Sequence, residues 1–105
     1  MRFVVIARDG TDEGAPARRL ACRQAHLSMI DTYLALGHFL MATALLDDKD
    51  QMSGSMLLVD FEDRDALDRW LAEEPYMTGD VWKDVDVIPA KVAGAFVDFL
   101  PGNNP

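Results

Sequence analysis

Few side chains in this 105-residue sequence have the chemistry of a catalyst, and His26 is the foremost of them. Imidazole titrates near pH 6.5, so a modest push from its surroundings makes it a usable base or acid at neutral pH. His26 falls mid-way along a helical stretch, close to a stripe of Leu20, Leu27 and Ile30. Two readings are open there, a histidine that simply packs and one that moves protons. Arg19 and Arg23 lie four residues apart, hence on one helix face, and could orient an anionic substrate or pair with surface acids. Ser55 follows Gly54 at a strand opening, where its hydroxyl could hold a polar ligand group or cap a turn. Tyr76 follows Pro75 and either walls a pocket or packs. Cys22 reads as a small core residue, and His38 as the mark of a strand start.

Composition removes several other chemistries. Ten basic and 18 acidic residues give a net charge of −8, which argues against nucleic acid or an anionic membrane as the main partner. One cysteine allows neither an internal disulfide nor a cysteine-based zinc site. His26 and His38 lack metalloprotease spacing, and no glycine-rich phosphate loop is present, so neither a metal nor a nucleotide cofactor is expected. The run Phe3–Ala7 is too short for a signal peptide, and Phe39–Leu46 is too short to span a bilayer. A cytoplasmic protein is the expectation.

The elements that must position these residues follow from periodicity and punctuation. The β-branched, apolar run Phe3–Ala7 marks a first strand over about 2–8. Asp9–Gly14 is a turn-rich loop, after which Pro16 suits a helix start and Gly37 a helix stop, giving a helix over Pro16–Leu36. Residues 38–46 form a second strand and Ser55–Phe61 a third, joined by the polar turn around Asp47-Asp48. Asp63 caps a short helix over 64–73 that Pro75 ends. A fourth strand lies within Val81–Val92, and residues 101–105 read as a disordered tail after a single domain over 1–100. The order β-α-β-β-α-β predicts an α+β, ferredoxin-like fold, a four-stranded antiparallel sheet with two helices on one face.

Two helices cover only one sheet face, yet both faces carry apolar residues. Phe3, Val5 and Ala7 oppose Val4 and Ile6, and Leu57, Val59 and Phe61 oppose Met56 and Leu58. A sheet with one wet face should alternate cleanly. The open face therefore calls for a cover, either a second copy of the chain in an isologous homodimer or the segment Val92–Leu100 folding back.

Four stretches resemble the YCII-related (YciI-like) family of small bacterial proteins. They are Arg19–Leu27 with its His26-Leu27 pair, Leu40-Met41-Ala42 leading to Leu46-Asp47-Asp48, Gly54–Leu58, and Glu74-Pro75-Tyr76, similar to the family's Asp-Pro-Tyr. Together they span residues 2–92. The resemblance implies a dimeric α+β barrel and a His/Asp active site, in a family that includes dehydrochlorinase-type lyases. Asp47 is the partner it implies for His26, with Asp48 next; the alternative for both is a solvated turn. The sequence departs from the family at Ala42-Thr43-Ala44, where Ala-Gly-Pro is usual, at Glu74 in place of Asp, and at Ala90, where an aromatic commonly follows the proline.

Helix and strand rises qualify the Asp47 pairing. His26 lies about 15 Å before the helix end at 1.5 Å per residue. The same climb along the second strand reaches about residues 42–43. Direct contact with Asp47 then needs a bulge, a bent connection or a partner chain. The resulting expectation is a cofactor-independent lyase or isomerase. His26 and Asp47 would be its acid–base pair, and Arg23, Asp48, Ser55 and Tyr76 would contact a small polar or aromatic metabolite. The alternative is a non-catalytic dimeric ligand-binding or accessory domain, and a cofactor-free monooxygenase would share the same barrel.

Overall fold

The computed structural model describes residues 1–101. Its strands are β1 (Arg2–Asp9), β2 (Phe39–Leu46), β3 (Met52–Asp60) and β4 (Trp82–Ala90). They pair antiparallel in the order β2-β3-β1-β4. Helices α1 (Ala15–Ala35) and α2 (Arg64–Glu73) are the two connections, so the ferredoxin-like α+β order is the one observed. One helical turn, α3 (Pro75–Thr78), and a terminal 3-10 helix over Gly94–Phe99 add to it. The third strand starts at Met52, three residues ahead of the expected Ser55. The expected tail lies, apart from Pro101, outside the described residues.

Strand alternation sets the layers. Phe3, Val5, Ala7, Leu57 and Val59 are buried beneath the helices, with Leu67, Trp70 and Tyr76 above them. Trp70 meets Phe39 edge-on with ring centroids 5.2 Å apart and stacks on Phe61 at 5.7 Å. Burying each such side chain is worth about 1.5–3 kcal/mol, so this aromatic cluster anchors α2 to the sheet. The Asp63 side chain accepts from the Ala66 N–H at 2.8 Å and fixes where α2 begins. Gly37 ends α1 with a φ of +82°, a conformation that favours glycine.

The inward face of α1 is not the leucine stripe. Leu20 is 73% exposed and Leu34 44% exposed, while Ala15, Arg19 and His26 are the buried positions. With the half-buried Cys22, Met29, Ile30 and Tyr33 they recur at three- and four-residue intervals, one continuous helix face. Two of its positions carry polar groups because each finds a buried acid, Asp9 for Arg19 and Glu74 for His26.

Candidate acid–base site

His26 is held from three sides. Its Nδ1 hydrogen-bonds to Glu74 Oε1, with Glu74 fully buried. The Tyr76 ring stacks on the imidazole with centroids 4.0 Å apart and planes 16° from parallel. Trp82 meets the imidazole edge-on at 5.9 Å. In the neutral imidazole, this contact with a carboxylate calls for the proton on Nδ1 and leaves Nε2 as the lone-pair nitrogen. Nε2 makes no hydrogen bond among the described residues.

Local sequence explains how Glu74 comes to face inward. Pro75 cannot continue α2, and the residue before a proline is driven extended. Glu74 obeys with φ −59° and ψ 126°, so the chain breaks there and restarts as α3. Its Oε1 then also accepts from the Tyr76 N–H at 3.4 Å, the N-cap interaction of the new turn. The other oxygen, Oε2, is buried with no partner among the described residues. The α3 turn sits tightly against α1: a Cβ on Gly79 would lie 2.2 Å from Cys22 Sγ. That contact gives Cys22 a packing role.

A second buried pair borders the first. Arg19 Nη1 donates to both Asp9 carboxylate oxygens, at 2.9 and 3.0 Å. Its Nη2 reaches the Gly54 carbonyl at 3.3 Å and Ser55 Oγ at 3.4 Å. The same guanidinium sits 4.7 Å from the centroid of the Tyr76 ring. Burial is the main cause that raises the Tyr76 hydroxyl above its ordinary value, with Arg19 and Arg23 opposing. Since the ordinary value is already about 10, the phenol stays a hydrogen-bond donor at neutral pH.

These residues surround a cavity of about 180 Å³ between α1 and the β2–β3 edge of the sheet. Arg19, Arg23, His26, Ser55 and Tyr76 supply its polar wall, and Leu27, Ile30 and Leu57 most of its apolar one. Small residues on β2 keep it open. Ala42 and Ala44 pair with Leu57 and Ser55 on the helix-facing side, where longer side chains would fill the space.

The structure places His26, Arg23, Ser55 and Tyr76 around this cavity and leaves Asp47 and Asp48 apart. Asp47 Oδ1 accepts from the N–H groups of Lys49 at 2.8 Å and Gln51 at 3.0 Å, and both aspartates are exposed. Asp47 is an Asx-type turn residue of the β2–β3 hairpin. The pairing of His26 with Asp47 within the chain is corrected to His26 with Glu74. The rise arithmetic pointed the right way, since Ala42 and Thr43 do line the cavity beside His26. Sequence reading missed Glu74, Arg19's anchor Asp9, and Trp82. The available signal for Glu74 was its place directly before Pro75-Tyr76. His38 is structural: its Nδ1 donates to the Asp60 carbonyl at 2.9 Å and its ring stacks on Phe61 at 4.7 Å.

Comparison with known proteins agrees with the fold. The YCII-related domain matches residues 1–91. The chain belongs to the YCII-related family. Its curated relatives include protein YciI of Escherichia coli O6:H1, 30% identical over 97 residues, and an uncharacterised protein of Haemophilus influenzae, 31% identical over the same length. Each alignment covers 87% of this chain and 97% of the relative. Among solved structures, this YCII-related chain is similar to TftG, the 5-chloro-2-hydroxyhydroquinone dehydrochlorinase of Burkholderia phenoliruptrix AC1100, solved in complex with 2,5-dihydroxybenzoquinone. That similarity has a TM-score of 0.77 at 23% identity and covers 90% of this chain and 98% of TftG. An antibiotic biosynthesis monooxygenase shares the fold more distantly, with a TM-score of 0.52 at 20% identity over 87% of this chain and 98% of its own. No helix of this YCII-related chain, among the described residues, is long and apolar enough to cross a membrane.

Proposed function

We propose that this chain is a cytoplasmic, cofactor-independent enzyme of the lyase or isomerase type, with His26 as its proton-transfer group. The observation that carries the reading is the buried His26–Glu74 hydrogen bond at the wall of a cavity with apolar sides. Nε2 takes a proton from a carbon or hydroxyl of the substrate, and the imidazolium so formed is balanced by the Glu74 carboxylate behind it. The Tyr76 hydroxyl and the Arg23 guanidinium stabilise the oxyanion left on the substrate. Returning the proton to another carbon gives isomerisation, and giving it to a departing group gives elimination. Membership in the YCII-related family and the TftG-like fold support a small-molecule enzyme of this kind.

The test is chloride release from 5-chloro-2-hydroxyhydroquinone, together with deuterium exchange into resorcinol and phloroglucinol in D₂O. Turnover above the uncatalysed rate that disappears in His26→Gln is the expected result. Binding without exchange or chloride release would assign the chain to the non-catalytic alternative.

The same proposal includes a homodimer through the open sheet face. Val4 and Leu58 sit side by side there with Ile88, 47% exposed, and Met41, 53% exposed. The exposure of Phe96 (61%) and Phe99 (81%) in the 3-10 helix supports this reading over the alternative cover, although Leu100 beside them is buried. Light scattering after gel filtration should give twice the chain mass of 11.7 kDa at micromolar concentration. Ile88→Glu should shift the protein to monomer, and a wild-type monomer would overturn the dimer.

A further inference from the structure

We infer that the cavity selects a single-ring organic anion and that Arg23 is the residue that selects it, an inference that rests on the proposed reading of this site. Three observations converge on it. The first is size. A sealed cavity of about 150 Å³ accommodates benzene, so the partly open space of about 180 Å³ beside His26 has room for one six-membered ring. The second is the apolar wall of Leu27, Ile30 and Leu57, which suits the faces of a ring better than a sugar or an amino acid backbone.

The third observation is the charge inventory. Arg19 lines the cavity, but its guanidinium is buried and its charge is already paired with both oxygens of Asp9, although its Nε has no hydrogen-bond partner among the described residues. It braces Tyr76 and Ser55 and has no charge to spare. Glu74 lies behind the imidazole, bound at Nδ1, on the side away from the atom left for a ligand. Arg23 differs from both. It lines the same cavity, is exposed, and has no ion pair or hydrogen bond among the described residues. It stands one turn from Arg19 and three residues from His26, on the same helix face.

Arg23 is thus the uncompensated cation of the site. When His26 takes a proton, the imidazolium and Glu74 neutralise one another, and the negative charge left on the substrate has Arg23 as its counter-ion. A phenolate, enolate or carboxylate fits that role. In a chain of net charge −8, an arginine at the cavity with no acid of its own favours the approach of an anion.

The experiment compares benzoate with its neutral isostere benzamide by ¹⁵N-correlated NMR titration of the full-length chain. Benzoate should perturb the amides of His26, Ser55 and Tyr76 and bind about tenfold more tightly than benzamide, the scale of one charge-assisted hydrogen bond. Arg23→Gln should erase the preference, and Arg23→Lys should keep most of it. Arg23 is exposed, so neither variant is expected to disturb the fold, and the same spectra report whether it has. Equal affinity for the two probes, or a preference that survives in Arg23→Gln, overturns the inference while leaving the site reading intact. If neither probe perturbs the cavity, both fall together.

Discussion

His26→Ala is expected to destabilise the folded chain by about 3–5 kcal/mol, because it leaves the buried Glu74 carboxylate without its main hydrogen-bond partner. Glu74 is 0% exposed, and one of its oxygens already lacks a partner among the described residues. Without the imidazole, the remaining oxygen keeps only the long bond from the Tyr76 N–H at 3.4 Å. The substitution also removes the ring on which Tyr76 stacks, so packing and electrostatics fail together. Urea unfolding of His26→Ala, Glu74→Gln and the double variant measures the coupling. The double variant should lose about 1–3 kcal/mol less than the sum of the singles, as contacting residues do. Strict additivity would mean that the two side chains do not share a bond in solution.

Glu74→Gln is expected to lower turnover by about 10²–10⁴-fold, because an amide can donate as well as accept, so it no longer enforces the Nδ1–H tautomer, and it does not balance an imidazolium. The effect should fall on kcat rather than KM, since Glu74 lies behind His26 and does not line the cavity. Glu74→Asp should recover part of the loss, as a shorter carboxylate keeps the charge but lengthens the bond. An unchanged rate in Glu74→Gln would remove Glu74 from any role in the chemistry. A loss confined to KM would point to displaced binding residues instead.

How much of this was legible in the sequence varies with the kind of force involved. The strands were readable because apolar alternation and turn residues are local, and β1, β2 and β4 fall within a residue or two of their expected bounds. In helix α1 only part of the expected stripe, Leu27 and Ile30, faces the cavity and core. Its leucines at 20 and 34 are exposed, and its buried stripe runs through Arg19 and His26, whose burial depends on acids 10 and 48 residues away in sequence. A hydropathy pattern cannot anticipate that a charge will be satisfied from a distance. The places where the pattern fails are the two that build the site. Asp47 misled for the opposite reason. Its acidity is spent on the hairpin's own N–H groups, a short-range competition that a long-range pairing does not overcome. Pro75 was read correctly as the end of α2, yet its further effect, turning Glu74 into the core, needed the backbone angles to show it.

The central claim is that Glu74 fixes His26 with its proton on Nδ1 and offers a bare Nε2 to the cavity. Long-range ¹H–¹⁵N correlation NMR of the His26 ring, recorded where the imidazole is neutral, tests it most directly. A protonated Nδ1 and an unprotonated Nε2, with the tautomer lost in Glu74→Gln, is the expected result. A ring protonated at Nε2, or one exchanging freely between tautomers in the wild-type protein, would contradict the account.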